Sequence, residues 1–235
     1  MKKYKKELIL ILLILIDTII IIDVFKEKNI KVNYKEISII EKTLNKIDLY
    51  DINKIMIVAH PDDESIWGGS HLLNDSYLVV CITCGIDENR NKEFNNAMNK
   101  TNDPYITLGY PDKTDGKRDD WKSSYDNIEK DIKEIIDYKN WNGIVTHNPD
   151  GEYGHEHHKM TSEIVTNVSN TKKIYYFSKY YSKEDTKDDK KLTDKELLEK
   201  EQLLKIYSSQ AAIINNHYHV VPYENFITYE EWNIN

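Results

Sequence analysis

The stretch KIMIVAHPDDESIWGG, residues 54–69, decides the fold. It begins with an apolar run, KIMIVA, which predicts a buried strand, and it passes directly into a histidine, a proline and three acidic residues. Like charges crowded at the end of a buried strand repel one another unless a cation lies between them. Because imidazole nitrogens and carboxylate oxygens are ligands of catalytic zinc, the sequence HPDDE, residues 60–64, predicts a divalent metal site.

Apolar runs of the same kind recur along the chain. They read YLVVCIT, YITLGY, GIVTH and KIYYFS, and longer segments with helical periodicity separate them. This alternation predicts an α/β fold, with a Rossmann-like, mostly parallel sheet and helices on both faces. Ligands bind beyond the carboxyl ends of strands in such sheets, and there the chain has HPDDE, TCG, LGYPD and THNPDGEYGH. No GxGxxG follows the first run, which disfavours a dinucleotide site.

Three segments have apolar residues at helical spacing. One follows Ser124, and another follows the histidine-rich sequence after GIVTH. The third begins at Thr193, which can form a capping box with Glu196, and its pattern continues through Tyr207 to Ala211.

The N-terminal segment MKKYKKELILILLILIDTIIIIDVF predicts a membrane anchor. From Leu8 to Phe25 it is apolar apart from Asp17, Thr18 and Asp23, and a helix of about 20 such residues crosses a bilayer. No small-residue cleavage site follows, which favours an uncleaved anchor over a signal peptide. Lysines flank the segment on both sides, but a short basic N-terminus usually stays cytoplasmic. We therefore expect a single-pass protein whose catalytic domain lies outside the cytoplasm.

The chain is expected to have three parts. Residues 1–25 form the cytoplasmic lysine cluster and the transmembrane helix, residues 26–53 a juxtamembrane connector, and residues 54–235 the catalytic domain. The connector predicts an amphipathic helix that packs on the domain or lies near the lipid surface. Its apolar positions at helical spacing are Ile37, Ile40, Leu44 and Ile47.

The charge of the chain bears on its partners. The formal net charge is -8, and residues 1–25 carry four lysines against three acids, or +1, which leaves -9 for the remainder. An acidic domain of this kind has no sequence-independent affinity for nucleic acid, so nucleic-acid partners are disfavoured. No feature of the sequence predicts an oligomeric state.

The two cysteines, Cys81 and Cys84, lie in CITCG. Residues three apart on a strand face opposite sides, so a disulfide between them is disfavoured. A zinc site built from cysteines would need a second thiol pair, which the sequence lacks. Both are interpreted as small buried apolar residues rather than redox groups.

A second polar cluster, GEYGHEHHKM, begins the helical segment after GIVTH. His155 and His158 are three residues apart and share one face of a helix, whereas His157 is expected to point elsewhere. The spacing differs from that of HExxH, in which the histidines are four residues apart. A histidine-rich helix start without a metal is the alternative, and the neighbouring HPDDE makes a metal site the better interpretation.

Together the two clusters resemble the signatures of the PIG-L/LmbE family of zinc-dependent N-deacetylases. The family's AHPDDE stands at residues 59–64, and its GHxxH signature reads GHEHH at residues 154–158. The resemblance covers roughly residues 54–215. Further similar positions are TCG at 83–85, the RxxE pair Arg90 and Glu93, and LGYPD at 108–112.

The resemblance implies roles for the matching residues. His60, Asp63 and His158 are expected to bind zinc, with Fe²⁺ or Mn²⁺ as alternatives, and Asp62 is expected to act as the general base. His155, when protonated, is expected to stabilise the oxyanion and to protonate the departing amine.

Other positions keep two interpretations. Tyr153 either polarises the amide carbonyl or only packs. Arg90 either contacts a sugar hydroxyl or phosphate, or pairs with Glu93. Asp112 either binds substrate or forms a turn. Two more residues are expected to orient the metal ligands: Glu64 and His147.

The reaction implied by the resemblance is hydrolysis of the N-acetyl group of an N-acetylglucosamine-type sugar or glycoconjugate. A membrane anchor favours a lipid-linked or envelope substrate, because tethering raises the effective concentration of a substrate held in the membrane. Two alternatives remain: a metal-dependent hydrolase of a non-sugar amide or phosphate ester, and a non-catalytic, anchored glycan-binding protein. The second is disfavoured, because a binding module has no use for a base beside the metal.

Overall fold

The computed structural model describes residues 38–184 and 190–234. Residues 1–37, which include the predicted anchor, lie outside the described residues. Among the residues that are described, no helix is long and apolar enough to cross a membrane.

The centre of the fold is a six-stranded sheet with the strand order β3-β2-β1-β6-β7-β8. Its first five strands in this order are parallel, and β8 runs antiparallel to β7. A short antiparallel hairpin, β4–β5, stands apart from this sheet. The strands are β1 (Lys54–Val58), β2 (Tyr77–Thr83), β3 (Tyr105–Tyr110), β4 (Lys113–Thr114), β5 (Lys117–Arg118), β6 (Gly143–Thr146), β7 (Ile174–Phe177) and β8 (Phe226–Thr228). All five strands predicted from apolar runs are confirmed, whereas the hairpin and β8 were not predicted.

The described helices connect the strands in chain order. They are α1 (Ile39–Leu44), α2 (Asp63–Asn74), α3 (Glu88–Thr101), α4 (Tyr125–Asp137), α5 (Glu156–Val168), α6 (Asp194–Leu204), α7 (Ala211–His217) and α8 (Tyr229–Ile234). Short 3₁₀ turns lie at Thr171–Lys173 and Ser208–Gln210.

Helices cover both faces of the sheet, as predicted. Successive residues of a strand point to opposite faces, and β1 divides its side chains accordingly. Ile55 and Ile57 belong to a core cluster that includes isoleucines of α4 and α5, whereas Met56 and Val58 belong to a second cluster with residues of α3 and α6. β1 therefore lies at the middle of the fold and is buried on both faces, which explains its continuous apolar sequence.

The glycine pair of the opening stretch allows α2 to lie close to β1. A Cβ added at Gly68 would stand 2.7 Å from Cε of Met56, and one at Gly69 would stand 3.2 Å from Cγ of Lys200. A larger residue at Gly68 would displace the end of the Met56 side chain, and one at Gly69 would press on the stem of Lys200.

The connector helix packs on the domain. Ile40 and Leu44 of α1 are buried in the same core cluster as the isoleucines of α4, and Ile47 packs against that cluster. The sequence allowed this helix either to pack on the domain or to lie near the lipid surface. In the described part of the connector, the helix packs on the domain. Ile37 lies outside the described residues.

The prediction of one continuous helix from Thr193 to Ala211 is wrong. Thr193 and Glu196 form the expected capping box, but α6 ends at Leu204. The backbone of Tyr207 is not helical, with φ -84° and ψ 57°, and its buried hydroxyl donates a hydrogen bond to Glu64. This inward contact turns the chain before α7 begins.

A buried ion pair fixes the segment that leads into β8. Nζ of Lys200 lies 2.7 Å from Oε2 of Glu224, and both side chains are fully buried. The Glu224 carboxylate also accepts hydrogen bonds from the backbone N–H groups of Ser70 and His71. The C-terminal segment is thereby joined to α2 and α6.

The interpretation of the cysteines is confirmed. Cys81 and Cys84 are both buried, and neither forms a disulfide. Burial raises the pKa of the Cys81 thiol well above its ordinary value, so this thiol stays protonated and unreactive.

Candidate metal centre

The HPDDE loop turns sharply between β1 and α2. Asp62 adopts φ 114°, a left-handed conformation that is unfavourable for any residue other than glycine. The backbone N–H of His60 donates to Oδ2 of Asp63 at 2.9 Å, which closes the turn. The two adjacent carboxylates therefore point in different directions, with Asp62 towards Arg90 and Asp63 towards the histidines.

Asp63 is the meeting point of the predicted ligands. Its Oδ2 lies 3.1 Å from Nδ1 of His60, and its Oδ1 lies 3.3 Å from Nε2 of His158. His158 belongs to the first turn of α5, which follows β6, the strand next to β1 in the sheet. The structure thus brings together the three residues that the two sequence signatures indicated.

The hydrogen bonds of His158 show what the centre can bind. Its Nδ1 lies 2.6 Å from Oε2 of Glu152, and because an ionised carboxylate only accepts hydrogen bonds, Nδ1 carries the proton. In the neutral imidazole, Nε2 then presents a lone pair. This nitrogen is buried, has no hydrogen-bond partner and faces the Asp63 carboxylate. Two acceptors held face to face fit a cation between them, and the Glu152–His158 contact is the outer bond that metal-binding histidines usually make. The residues therefore fit a divalent metal.

Nδ1 of His60, like Nε2 of His158, faces the carboxylate of Asp63. Asp112 and Asp63 raise the pKa of His60 although its burial acts in the opposite direction. Nδ1 of His60 faces Asp63, so a proton and a metal ion would compete for this position.

The prediction that His157 points elsewhere is wrong. Its ring stacks on Trp121 with centroids 4.0 Å apart, and its Nε2 donates to the carbonyl oxygen of Asp119 at 2.6 Å. Its Nδ1 lies 3.0 Å from Nε2 of His60. The segment around Trp121 folds over the start of α5, so the side of the helix next to His158 is also part of the centre. His157 holds the ring of His60 in place.

His155 lies at the opening of the centre. Its ring stacks on that of His158 with centroids 4.3 Å apart, and it meets the ring of His60 edge-on at 4.8 Å. Burial, together with the charges of His158 and His60, lowers the pKa of His155 to about 2. Its Nδ1 is buried without a hydrogen-bond partner. The imidazole is therefore neutral and could also serve as a third nitrogen ligand, since one nitrogen from each of these histidines lies within 4.8 Å of the others.

Of the two interpretations of Arg90, the pairing with Glu93 is wrong, and the contact with substrate stays a prediction. Its guanidinium lies 3.3 Å from Oδ1 of Asp62 and also donates to the carbonyl oxygen of Pro61. Glu93 instead accepts hydrogen bonds from Ser208 and Ser209. Arg90 thus orients Asp62. Burial and the charge of Asp63 raise the pKa of Asp62 well above its ordinary value, with Arg90 acting against them.

Asp112 reaches the centre from the carboxyl end of β3. Its Oδ1 lies 3.4 Å from Nε2 of His60 and 3.0 Å from the guanidinium of Arg118 on β5. Although burial favours the protonated acid, His60 and Arg118 hold the pKa of Asp112 below its usual range. The side chain is therefore an ionised contact within the site and does more than shape a turn.

Glu64 and His147 brace the loop rather than the opening of the site. Glu64 accepts from the backbone N–H of Asp62 at 3.1 Å and from the hydroxyl of Tyr207 at 2.6 Å. Nδ1 of His147 lies 3.0 Å from Glu152, and its Nε2 accepts from the backbone N–H of Ala59 at 3.0 Å.

The charge of His147 is set by two opposing features. Its burial is outweighed by the carboxylates of Glu152 and Asp63, which raise the pKa of His147 to about 9. The Ala59 N–H, however, points at Nε2, and a proton on that nitrogen would face a donor at 3.0 Å. Nε2 of His147 is therefore an acceptor, and the ring proton lies on Nδ1, which faces Glu152.

A cavity of about 180 Å³ is lined by some of these residues but not by His158; they are His60, Asp62, Asp63, Arg90, Asp112, Arg118 and His155. Tyr153 forms part of its rim, is 40% exposed and stacks on His217 of α7 with centroids 4.3 Å apart. Both packing and substrate contact are therefore available to this side chain. A separate groove of about 440 Å³ between α6 and α7 contains none of the metal-binding candidates.

Sequence reasoning missed three contributors: Glu152, Arg118 and His157. Glu152 stands inside GEYGHEHH, and an acid just before a metal-binding histidine is a usable signal. Its position depends on a tight turn, since Gly151 has φ 66° and Gly154 φ 93°. A Cβ at Gly151 would lie 2.6 Å from the carbonyl oxygen of His155.

Comparison with known proteins gives the following similarities. The family model described as "PIG-L: GlcNAc-PI de-N-acetylase" matches residues 55–169. Uncharacterized protein L374 of Acanthamoeba polyphaga mimivirus is 31% identical over 195 residues, which cover 76% of this chain and 80% of that protein.

Two solved structures have similar folds. The A40926 pseudoaglycone deacetylase Dbv21 has a TM-score of 0.53 at 15% identity, over 69% of this chain and 84% of that one. GalB, the 4-carboxy-2-hydroxymuconate hydratase of Pseudomonas putida, has a TM-score of 0.53 at 12% identity, over 72% and 84%. The first is a deacetylase and the second a hydratase, so the fold alone does not decide the reaction.

Proposed function

The chain belongs to the PIG-L, or GlcNAc-PI de-N-acetylase, family, and from this premise we propose that it is a metal-dependent N-deacetylase acting on an N-acetylglucosamine-type sugar or glycoconjugate. One observation carries the proposal. The buried, unpartnered Nε2 of His158 faces the Asp63 carboxylate at 3.3 Å. Such a pair is costly to bury without a cation.

His60, Asp63 and His158 are the residues that would hold the ion, through Nδ1, the carboxylate and Nε2. When bound, a divalent ion such as zinc, iron or manganese supplies a Lewis acid that polarises the acyl carbonyl and lowers the pKa of an attacking water. Glu152 fixes the proton of His158 on Nδ1, and His157 holds the ring of His60.

Asp62 is proposed as the base. Its carboxylate lies next to the metal-binding candidates, but Asp63 is the carboxylate that faces the histidines. Arg90 holds the Asp62 carboxylate in place. Its raised pKa, caused by burial and by Asp63, makes it able to accept a proton from water. The hydroxyl of that water adds to the acyl carbon.

His155 is proposed as the group that passes a proton to the departing nitrogen. Its Nδ1 has no protein partner, and the residue lines the cavity with Tyr153. Because the imidazole is neutral at rest, the proton that it passes on is the one that Asp62 has taken from the water. Cleavage of the C–N bond then gives acetate and a free amine.

The substitution Asp62→Asn tests the proposal. We expect acetate release from N-acetylglucosamine conjugates to fall by about 10²–10⁴-fold, while elemental analysis finds the same metal content as in the wild type. The exposed Asp126 on α4 offers a matched control, and Asp126→Asn should change neither measurement. Acetate release that survives Asp62→Asn would show that Asp62 is not the base. Metal bound by the wild type without acetate release from any sugar conjugate would point to a different substrate.

We also propose that residues 8–25 anchor the protein in a membrane with the catalytic domain outside the cytoplasm. The support is the apolar sequence of this segment and the lysines that precede it. Membrane fractionation, followed by protease treatment of intact cells, tests this proposal. Recovery in the soluble fraction, or protection of the domain from protease, would contradict it.

A further inference from the structure

The catalytic cavity continues into a larger one. The cavity around the metal-binding candidates holds about 180 Å³, and its neighbour holds about 460 Å³. Four residues line both: Arg90, Asp112, Lys113 and Gln210. Small-molecule sites usually have volumes of about 300–1,000 Å³, so the smaller cavity by itself is too small for a sugar conjugate. Part of such a substrate would extend into the neighbouring cavity.

The charged side chains that line this second cavity are paired within the protein, with one exception. Arg90 lies against Asp62, and Asp112 lies against Arg118. Asp87 caps the start of α3 by accepting from two backbone N–H groups. Lys113 is exposed on β4, and it has no ion pair within the described residues.

Lys113 also has a defined position. Its partner in the hairpin is Arg118, so the hairpin places both cations beside the residues of the catalytic cavity. Because the chain outside residues 1–25 carries a formal charge of -9, an anion approaching elsewhere on its surface meets repulsion. An unpaired lysine where the two cavities meet attracts an anion at that position.

We propose that the second cavity binds an anionic group, a phosphate or a carboxylate, attached to the acetylated unit of the substrate, and that Lys113 recognises that group. The inference rests on the proposed deacetylase function. Asn89, Ser209 and Gln210 line the same cavity and offer polar contacts to the remainder of the substrate. Ile86, which is 85% exposed, forms an apolar edge.

Three probes test the inference with the full chain and its metal. Methyl N-acetyl-α-D-glucosaminide is neutral, N-acetyl-α-D-glucosamine 1-phosphate carries a phosphate, and carboxymethyl N-acetyl-α-D-glucosaminide carries a carboxylate. Binding is measured by calorimetry, which needs no turnover, and acetate release is measured separately. We expect the wild type to prefer at least one anionic probe over the neutral one.

The substitution Lys113→Gln should reduce that preference, expressed as a ratio of dissociation constants, by about two- to fivefold. Lys117 is the matched control, since it is exposed on the same hairpin but lines neither cavity, and Lys117→Gln should leave the ratio unchanged. A direct contact between phosphate and the metal would survive Lys113→Gln, so it is distinguished from recognition by the lysine.

The inference is overturned if the wild type has no preference for either anion, or if Lys113→Gln weakens all three probes equally. A preference for one anion alone that depends on Lys113 supports the inference and identifies the group. A charge preference that depends on Lys113, with no acetate released from any probe, supports the binding site and contradicts only the deacetylase function.

Discussion

The substitution Glu152→Gln tests the metal centre through a residue that would not touch the metal. Glu152 is buried, and its Oε2 lies 2.6 Å from Nδ1 of His158 and 3.0 Å from Nδ1 of His147. Its Oε1 accepts from the backbone N–H of Asn148 at 3.0 Å. Opposing its burial, the two histidines lower the pKa of Glu152 to about 2, so the side chain stays ionised at any pH used for metal binding.

The size of the effect follows from these contacts. A glutamine has one oxygen and one NH₂ group, so it cannot accept hydrogen bonds from His158, His147 and Asn148 as the carboxylate does. The proton of His158 is then no longer confined to Nδ1, and Nε2 loses part of its availability for the metal. Loss of such an outer partner usually costs 10–100-fold in metal affinity, which corresponds to about 1.4–2.7 kcal/mol.

The assay is competition for Zn²⁺ with a chelating dye, at a pH where both proteins are folded by circular dichroism. Glu156→Gln is the matched control, because Glu156 begins the same helix but is exposed and pairs only with Lys159 within the described residues. The control should bind metal within about twofold of the wild type. Nitrogen NMR of His158 provides a second readout, with Nδ1 protonated in the wild type and a tautomer mixture in Glu152→Gln. Unchanged zinc affinity together with an unchanged tautomer would refute the reasoning.

Two further predictions concern stability. Burial raises the pKa of Asp103 to about 6. As the pH rises, the unfolded chain therefore loses the proton of Asp103 before the folded protein does. The contribution of Asp103 to stability is complete below about pH 4 and is lost as the pH rises through about 6. Asp103→Asn keeps an acceptor for the N–H of Tyr77. In urea titrations, its free energy of unfolding should rise relative to that of the wild type by up to about 3 kcal/mol between pH 4 and pH 7. A difference in free energy that does not change with pH would contradict the raised pKa of Asp103. Glu224→Gln leaves the buried ammonium of Lys200 without its counter-charge and should lower the free energy of unfolding by about 3–5 kcal/mol. The control Glu199→Gln changes a partly exposed residue and should lower it by less than about 0.5 kcal/mol.

The sequence predicted the parts of the fold that depend on local pattern. Five apolar runs became five parallel strands, and the runs of β1, β2 and β6 are nearly continuous because these strands are buried on both faces. The meeting of His60, Asp63 and His158 also followed from sequence. Both signatures stand at the carboxyl ends of strands, and such ends share one edge of a parallel sheet.

The failures concern contacts between distant segments. His157 was placed by helical spacing alone, and spacing carries no information about the segment around Trp121 that folds over α5. The break before α7 arises because the hydroxyl of Tyr207 reaches Glu64, which is 143 residues earlier in the chain. Glu152 reaches His158 only through a turn with left-handed backbone at Gly151 and Glu152. Apolar periodicity does not encode that conformation.

The contact between Tyr207 and Glu64 also has a consequence for biosynthesis. A chain leaving the ribosome presents the HPDDE loop first, His158 about a hundred residues later, and Tyr207 after both. Until then Glu64 lacks its phenolic partner, and the loop that carries Asp62 is held by fewer bonds. A nascent polypeptide could therefore capture an ion before its reactive geometry is complete, and hydrolytic competence would arise only after the segment that contains Tyr207 docks.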